Sequence, residues 1–279
     1  MDRHSPAVAA PLFRGYAFDL DGTIYLGDAL IDGAAQVVAD LRAAGARTVF
    51  VTNKPLETST DYAAKLTRLG IPTIGADVIS AIDALILYLR DNHSGATLMA
   101  IAEPVLIDEL ARAGFEVTTD PTCTDVVVVS FDRTFDYDKL TRAYQAVKGG
   151  AIIIATNPDP YCPTPDGGLP DCAAMLAAIE ACTGARAEAI VGKPSVHMAN
   201  AFLDRLGVGA GDAVMVGDRL LTDVAMGLNA GMATVLVLSG ATTREQLADS
   251  EVVPNYVFDD IRGLVAQGQR ANRVKQSQR

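Results

Sequence analysis

Near its amino end the chain reads Tyr16-Ala17-Phe18-Asp19-Leu20-Asp21-Gly22-Thr23, an apolar run that leads into two aspartates and a glycine. The run predicts a buried strand over Tyr16–Leu20, and the Asp-Gly pair predicts a turn at its end. Because Asp19 and Asp21 are two residues apart, one can attack an electrophile while the other gives and takes protons. Gly22 allows the backbone to turn tightly and to bring amide donors close to an anion. An ordinary turn after a strand is the alternative interpretation.

Short apolar runs alternate with segments of helical spacing in both flanks of the chain. The predicted elements are helices near Ala34–Ala44, Leu56–Leu69 and Asp223–Ala230, and strands over Arg47–Thr52, Ala213–Val216 and Thr234–Leu238. This alternation is typical of a parallel sheet with helices on its faces. We therefore predict an α/β fold whose core is a Rossmann-like, doubly wound parallel sheet.

The middle of the chain carries a different charge from its flanks. Residues 83–184 include 15 acidic and 6 basic side chains, a net of −9, whereas the other residues include 19 acidic and 17 basic, a net of −2. The predicted elements of this segment are strands over Thr97–Ile101, Val126–Ser130 and Ile152–Thr156, and helices over Val105–Ala113, Tyr137–Lys148 and Cys172–Thr183. We predict a discontinuous core domain, residues 1–82 and 185–279, with an α/β domain inserted at 83–184. Residues 268–279 are a polar, basic tail.

Two further segments provide groups that suit a phosphate. Thr52 and Asn53 end the strand Arg47–Thr52, where a hydroxyl, an amide and the N–H groups at a helix start can hold an anion. Lys193 lies in a Gly-Lys-Pro turn after a short apolar run, so its charge can neutralise a phosphoryl group. Thr and Asn are also ordinary helix caps, and a loop lysine can simply be solvated.

A fourth segment, from Gly217 to Asp223, carries two more aspartates. Asp218 lies at the end of a predicted strand, and Asp223 lies near the start of the next helix. Carboxylate oxygens are hard ligands of the type that Mg²⁺ prefers. Asp223 can also compensate the helix dipole, which is compatible with a role in a metal site. Because the carboxyl ends of parallel strands share one edge of a sheet, all four segments can meet there.

Composition argues against several classes of protein. The chain has 279 residues, 49% of them apolar and 20% charged, so it can bury a substantial core. With 34 acidic and 23 basic side chains its net charge is −11, which argues against binding to nucleic acid or to anionic membranes. No apolar run reaches the length of a membrane span, and residues 1–13 contain no signal-peptide core. Four cysteines without a Cys-x-x-Cys pair fit a reducing cytoplasm.

Taken together, the four segments resemble the haloacid dehalogenase (HAD) superfamily of phosphotransferases, and within it the NagD-like phosphatases. The resemblance spans Gly15 to Val265 and is most specific in Asp19–Tyr25, Gly192–Ser195 and Gly217–Asp223. It implies that the acidic insertion is an α/β cap of the C2 type. The stretch Ile152–Glu180 is similar in particular to AraL-type sugar phosphatases. The implied activity is Mg²⁺-dependent hydrolysis of small sugar or polyol phosphates through an aspartyl-phosphate.

The resemblance implies a role for each residue that matches a family motif. Asp19 is the nucleophile, and Asp21 protonates the leaving alcohol and later deprotonates the attacking water. The remaining assignments are Gly22, Thr52, Asn53 and Lys193 for the phosphoryl group, and Asp19, the Asp21 carbonyl, Asp218 and Asp223 for Mg²⁺. Lys54 departs from the Asn-Asn pair of many relatives, which leaves its role open. The segment Pro165–Asp171 departs from their Gly-rich pattern, which leaves the substrate open.

An acidic cap favours a monophosphate with a hydroxyl-rich or cationic leaving group over a polyanion. Asn157 and Asp159 are the candidates for contacting sugar or polyol hydroxyls, although they can also serve only to shape their loop. Pyridoxal phosphate, glycerol phosphate, a phosphomutase and a silent phosphate-binding module stay open as alternatives. A C–halogen hydrolase is disfavoured, because it has no leaving alkoxide for Asp21 to protonate. NagD-like relatives often pair through the cap, which implies a homodimer.

Overall fold

The computed structural model describes residues 10–164 and 167–265, and the predicted basic tail at 268–279 lies outside them. The strands in chain order are β1 (Gly15–Asp19), β2 (Tyr25–Leu26), β3 (Ala29–Leu30), β4 (Arg47–Thr52), β5 (Val78–Ser80), β6 (Thr97–Ile101), β7 (Glu116–Val117), β8 (Val126–Val129), β9 (Ile152–Ala155), β10 (Tyr161–Thr164), β11 (Gly167–Pro170), β12 (Ala189–Ile190), β13 (Ala213–Gly217), β14 (Ala233–Val237) and β15 (Tyr256–Phe258). The α-helices are α1 (Ala34–Ala43), α2 (Ser59–Arg68), α3 (Ala81–Asn92), α4 (Pro104–Arg112), α5 (Tyr137–Lys148), α6 (Cys172–Thr183), α7 (Val196–Leu206), α8 (Ala225–Asn229) and α9 (Arg244–Ala248). Short 3₁₀ turns lie at Gly75–Asp77, Pro121–Cys123, Ala210–Asp212 and Ile261–Leu264, and a π-helical turn lies at Leu220–Val224.

Two largely parallel sheets organise these elements. The first has the strand order β15-β14-β13-β1-β4-β5, with β1 parallel to both of its neighbours. The second has the order β12-β9-β8-β6-β7, and all of its pairings are parallel. Two antiparallel hairpins, β2 with β3 and β10 with β11, complete the strands. The prediction of an α/β fold built on a doubly wound parallel sheet is confirmed.

Most predicted elements agree with the structure to within a residue or two, and β4, β6, α5 and α6 have the predicted bounds. The predicted helix Asp223–Ala230 differs, because a wide turn at Leu220–Val224 precedes α8. In that turn the N–H groups of Asp223 and Val224 both donate to the Arg219 carbonyl oxygen. The Asp223 carboxylate in turn accepts from the Arg219 N–H at 3.1 Å, so it lies close under the end of β13.

The core of the first sheet is built on large side chains of its central strands. Tyr16 and Phe18 are buried on one face of β1 together with Phe50 of β4, and their rings lie about 6 Å apart. Val38 and Leu41 of α1 pack on the same cluster. Burial of each such side chain contributes about 1.5–3 kcal/mol, so these residues hold β1 and β4 firmly in register.

In the second sheet, alternate valines of β8 face opposite layers of helices. Val127 and Val129 belong to a buried cluster that includes residues of α5 and α6. Val126 and Val128 belong to another cluster that includes residues of α3 and α4. A strand buried on both faces reads as a continuous apolar run, which is why four consecutive valines occur here.

The described residues form two compact units. The core unit comprises residues 10–52, 60–79 and 199–265, and the second unit comprises 53–59, 80–164 and 167–198. The boundaries given above for a core and an inserted cap stay a prediction. Over these ranges no helix combines the length and the apolar character that crossing a bilayer requires.

Candidate active site

The topology of the core sheet brings several polar residues to one edge. β1 lies between β4 and β13, so the chain winds to one side of β1 and then to the other. In doubly wound sheets, ligands bind beyond the carboxyl ends of the strands at such a switch point. Asp19 ends β1, Thr52 ends β4, and Asp218 directly follows β13. The predicted meeting of these strand ends is therefore present in the core unit.

Three buried carboxylates form a cluster at this edge. Oxygen atoms of Asp19, Asp218 and Asp223 lie within 4.8 Å of one another, and the three residues are 7%, 2% and 0% exposed. We call these three residues the acidic cluster. Like charges this close repel one another, and a divalent cation offsets that repulsion. A donor set of carboxylate oxygens suits Mg²⁺ or another hard cation.

Where the carboxylates of the acidic cluster approach the main chain, the residue at that position is glycine. A Cβ on Gly240 would lie 2.0 Å from the Asp218 Oδ2 atom and 2.7 Å from its Cβ. A Cβ on Gly217 would lie 2.3 Å from the Asp223 Cβ. Gly22 has φ +88°, and its Cβ would come within 2.4 Å of Asp218. These three glycines therefore allow the carboxylates to lie against main chain, and the cluster fits a small cation.

Sequence reasoning missed the loop that follows β14. The Ala241 N–H donates to the Asp218 Oδ2 atom at 2.5 Å, and the Ser239 hydroxyl donates to the Gly22 carbonyl at 2.7 Å. This loop thus fixes both the Asp218 carboxylate and the turn after β1. The sequence feature that could have identified this loop is the pair Ser239-Gly240, which follows the predicted strand Thr234–Leu238. The other candidate segments also lie at the carboxyl ends of predicted strands.

The turn after β1 is closed by several main-chain hydrogen bonds. The Gly22 N–H donates to the Tyr25 carbonyl at 2.8 Å, and the Tyr25 N–H donates to the Leu20 carbonyl at 3.1 Å. Asp21 is half-buried within this turn, two residues beyond Asp19. A turn so tightly bonded holds the two aspartates at a fixed separation, which is what a division of work between them requires.

Four other predicted site residues meet in the second unit. The Asn53 side chain accepts from the Lys193 N–H at 2.8 Å and donates to the Asp159 carboxylate at 2.9 Å and to the Lys193 carbonyl at 3.1 Å. The Asn157 amide donates to the Asn53 carbonyl at 3.3 Å and accepts from the Asp159 N–H at 3.0 Å. We call Asn53, Asn157, Asp159 and Lys193 the amide cluster. Asn157 and Lys193 are almost fully buried.

Asp171, which sequence reasoning did not single out, belongs beside the amide cluster. It is the N-cap of α6 and accepts from the Cys172 N–H at 2.6 Å. Burial, and to a lesser extent the charge of Asp159, raises the pKa of Asp171 to about 6, against the hydrogen bonds from Cys172 and Asn157 and the charge of Lys54. The only signal in the sequence was the departure of its segment from the Gly-rich pattern of relatives.

The predicted site residues thus fall into two groups. Gly22 and the acidic cluster come together in the core unit, and Thr52 ends the strand beside β1 in the same unit. The amide cluster comes together in the second unit. The functional role of each of these residues stays a prediction.

Family models match both ends of the sequence. A model described as haloacid dehalogenase-like hydrolase matches residues 16–116, and one described as HAD-hydrolase-like matches residues 190–264. The first match includes β1 and β4, and the second includes Lys193 and the Gly217–Asp223 segment. Between them, the matches contain the core motifs found above.

Individual relatives are similar over most of the chain. The sugar-phosphatase AraL of Bacillus subtilis is 36% identical over 250 residues, which are 90% of this chain and 91% of that protein. A p-nitrophenyl phosphatase from Archaeoglobus fulgidus superposes with a TM-score of 0.88 at 31% identity, covering 92% of this chain and 100% of its own. NagD from Escherichia coli K-12 gives a TM-score of 0.82 at 30% identity, with coverage of 90% and 98%. The likeness therefore extends through both units.

Proposed function

We propose that this chain, which belongs to the haloacid dehalogenase-like hydrolases and is a phosphatase of the NagD-like group, hydrolyses monophosphate esters of small sugars or polyols. The observation that carries the proposal is the buried acidic cluster at the carboxyl edge of the core sheet. A relative named sugar-phosphatase, similar over nine-tenths of the chain, supports the substrate class.

The proposed chemistry has two displacements at phosphorus. An Asp19 carboxylate oxygen attacks the phosphorus atom, the bond to the ester oxygen breaks, and its electron pair leaves with that oxygen. Asp21 gives its proton to the leaving alkoxide, which departs as the alcohol. Asp21 then takes a proton from water as the water oxygen attacks phosphorus, which releases inorganic phosphate and restores the Asp19 carboxylate. The fixed turn between the two aspartates supports this sharing of roles.

The acidic cluster and the Asp21 carbonyl are proposed to hold Mg²⁺. When bound, the ion supplies positive charge that offsets the repulsion between the Asp19 carboxylate and an incoming phosphate. The three glycines around the cluster support this assignment, because they leave room for the carboxylates and for no further side chain. The net charge of −11 makes such a local source of positive charge necessary.

Gly22, Thr52, Asn53 and Lys193 are proposed to serve the phosphoryl oxygens. Lys193 supplies charge, Thr52 its hydroxyl, and Gly22 a main-chain N–H. The Asn53 side chain is engaged with Lys193 and Asp159, so we assign it the additional role of positioning the Lys193 turn. Asn157 and Asp159 are the proposed contacts for the hydroxyls of the leaving group.

The test is phosphate release from a panel of phosphomonoesters, with Mg²⁺ and with EDTA. The panel includes sugar and polyol phosphates, glycerol phosphate, pyridoxal phosphate and nucleotides. We expect metal-dependent turnover of sugar or polyol phosphates, and a loss of about 10³-fold or more in Asp19→Asn. Asp28→Asn is the matched control, because its side chain is fully exposed, and it should keep wild-type turnover.

Three outcomes would contradict the proposal. Equal turnover in Asp19→Asn and wild type would show that Asp19 is not the nucleophile. A clear preference for nucleotides would show that sugar or polyol phosphates are not the substrate class. An isomerised product without net release of phosphate would indicate a phosphomutase, and product analysis by ³¹P NMR distinguishes that case.

A further inference from the structure

We propose that the core unit carries an anion site at the edge of its sheet opposite to the acidic cluster, and that this site takes a phosphate dianion, either free or at one end of a small metabolite. A cavity of about 320 Å³ lies at this edge. Three arginines line it: Arg42 near the end of α1, Arg47 at the start of β4, and Arg205 near the end of α7. We call this space the arginine cavity.

Hydrogen bonds to the protein fix all three guanidinium groups. Arg42 donates from Nε to the Thr48 hydroxyl at 2.8 Å and from Nη1 to the Pro72 carbonyl at 2.6 Å. Arg47 donates to the Leu206 carbonyl at 2.7 Å, and Arg205 donates to the Ala76 carbonyl. Each guanidinium has five N–H donors, so most donors of each group stay available. Groups already held in place lose little freedom when an anion binds, which favours affinity.

The arginine cavity is lined by a net positive charge, whereas the chain as a whole is negatively charged. Across the described residues, the hydrogen-bond partners of its arginines are a hydroxyl and main-chain carbonyls, so no carboxylate there neutralises them. Asp77 is the acidic residue among the lining residues, and its carboxylate accepts from the Ile74 N–H. Three arginines and one aspartate leave a local charge of +2 on a chain whose net charge is −11. That balance suits a dianion.

The geometry of arginine favours phosphate among small anions. The planar guanidinium presents parallel N–H groups that match the oxygens of a phosphate, and such charge-assisted pairs are the strong ones. The three guanidinium groups line one cavity, so their charges act together on an anion that binds there. The cavity is also larger than a phosphate ion, which leaves room for an organic substituent.

The arginine cavity is distinct from the proposed active site. Gly15 is in register with Arg47, and Asp19 is in register with Val51 of the same pair of strands. Four residues of strand span about 13 Å, so the cavity lies at the amino edge and the acidic cluster at the carboxyl edge. A phosphate in the cavity is therefore a second ligand and cannot be the reacting ester.

The test compares how phosphate stabilises matched variants of the full chain in EDTA. All carry Lys193→Met, which removes the charge proposed to hold phosphate at the active site. At ten times its Kd, phosphate should raise the midpoint of thermal unfolding by about 3 °C relative to NaCl of equal ionic strength. The pair Arg42→Gln and Arg205→Gln should abolish the rise. Arg244→Gln, an exposed arginine paired with Asp259, should retain it.

Each variant is compared with its own midpoint without phosphate, so a loss of intrinsic stability does not confuse the result. An equal rise in the double variant and in Arg244→Gln would overturn the proposal. A rise with inorganic phosphate shows that the free ion suffices, and a rise with phenyl phosphate alone shows that an organic substituent is needed. Since turnover is not the readout, the outcome is independent of the proposed phosphatase activity.

A crystal soaked in tungstate provides a direct second measurement. Tungstate is a tetrahedral dianion, and its anomalous signal locates it without ambiguity. A peak among Arg42, Arg47 and Arg205 supports the site. Peaks found only elsewhere in the molecule would overturn it.

Discussion

The acidic cluster and the amide cluster differ in the chemical groups that they bring together. In the acidic cluster three carboxylates converge, and the nearby main chain contributes N–H groups from Arg219 and Ala241. In the amide cluster, the Asn53 side chain bonds to the main-chain N–H and carbonyl of Lys193 and to the Asp159 carboxylate.

This difference indicates separate tasks for the two clusters. With the proposed Mg²⁺ bound at the acidic cluster, we expect loss of the cluster to lower turnover. In the amide cluster, Asn53 bonds to the Lys193 main chain and to the Asp159 carboxylate, so we expect its loss to weaken binding. Substitutions in each cluster separate these two kinds of effect.

The largest effect is expected from Asp218→Asn, because it removes one charge from the acidic cluster. A metal ion contributes several kcal/mol to stabilising the charge of a transition state, so turnover should fall by about 10³-fold. We expect Mg²⁺ to raise the unfolding midpoint of the wild type, and this rise should disappear in Asp218→Asn.

The control for this substitution is Asp212→Asn, whose half-exposed side chain pairs with Arg14 just before β13. It should keep both the turnover and the response to Mg²⁺. An Asp218→Asn protein that is still stabilised by Mg²⁺ to the wild-type extent would contradict the assignment of the acidic cluster as the metal site.

Gly240→Ala tests whether the position of Asp218 matters apart from its charge. The new Cβ would lie within 2.7 Å of three atoms of Asp218, so the carboxylate has to move. A displacement of about 1 Å at a catalytic group costs about 10²-fold in rate, and we expect a loss of that size in kcat. Gly209→Ala is the control, since nothing lies within 4 Å of its Cβ position. Equal kcat values in the two variants would show that the glycine is not needed for this purpose.

The sequence predicts much of the fold because the spacing of apolar residues along the chain agrees with the burial of those residues in the strands and helices. The strand Arg47–Thr52 and the helix Tyr137–Lys148 have their predicted bounds. The convergence of Asp19, Asp218 and Asp223 also follows from sequence, since the edge rule for parallel sheets needs only the order of strands and acids.

Features that depend on contacts between residues distant in sequence could not be predicted. Asn53 contacts Asp159 and Lys193 across 106 and 140 residues, and no local pattern encodes such a meeting. A wide turn at Leu220–Val224 takes the place of an ordinary helix start, and in it the Asp223 carboxylate accepts from the Arg219 N–H. The arginine cavity is assembled from three elements whose arginines look like ordinary surface residues in the sequence.

Asn53→Ala should have a smaller effect and one confined to binding. The substitution removes the hydrogen bonds that hold the Lys193 turn and the Asp159 carboxylate. Loss of a hydrogen bond to a charged group costs about 1.5–3 kcal/mol, so kcat/KM should fall by about 10- to 100-fold, chiefly through KM. Asn92→Ala, which removes one bond from an exposed amide to the Tyr88 carbonyl, should leave kcat/KM unchanged. A loss in kcat with KM unchanged would place Asn53 in the chemistry instead.

The smallest effect concerns the dependence of stability on pH and rests on Asp171. Its pKa is raised from 3.8 to about 6 in the folded protein, so between these values the folded state binds the proton more tightly than the unfolded state. The contribution of Asp171 to the free energy of unfolding is therefore greatest below about pH 4 and falls by about 3 kcal/mol as the pH rises through about 6.

Asp171→Asn removes this titration while keeping an oxygen that can accept from the Cys172 N–H. Relative to wild type, the variant should gain stability between about pH 4 and about pH 6, and the difference should be constant above that range. Urea unfolding of both proteins across the range measures it. Asp159→Asn should shift the transition to lower pH, because its charge is one cause of the raised pKa. A stability difference that does not change with pH would mean that Asp171 titrates normally, and its burial beside Asp159 would then have no cost for the charged form.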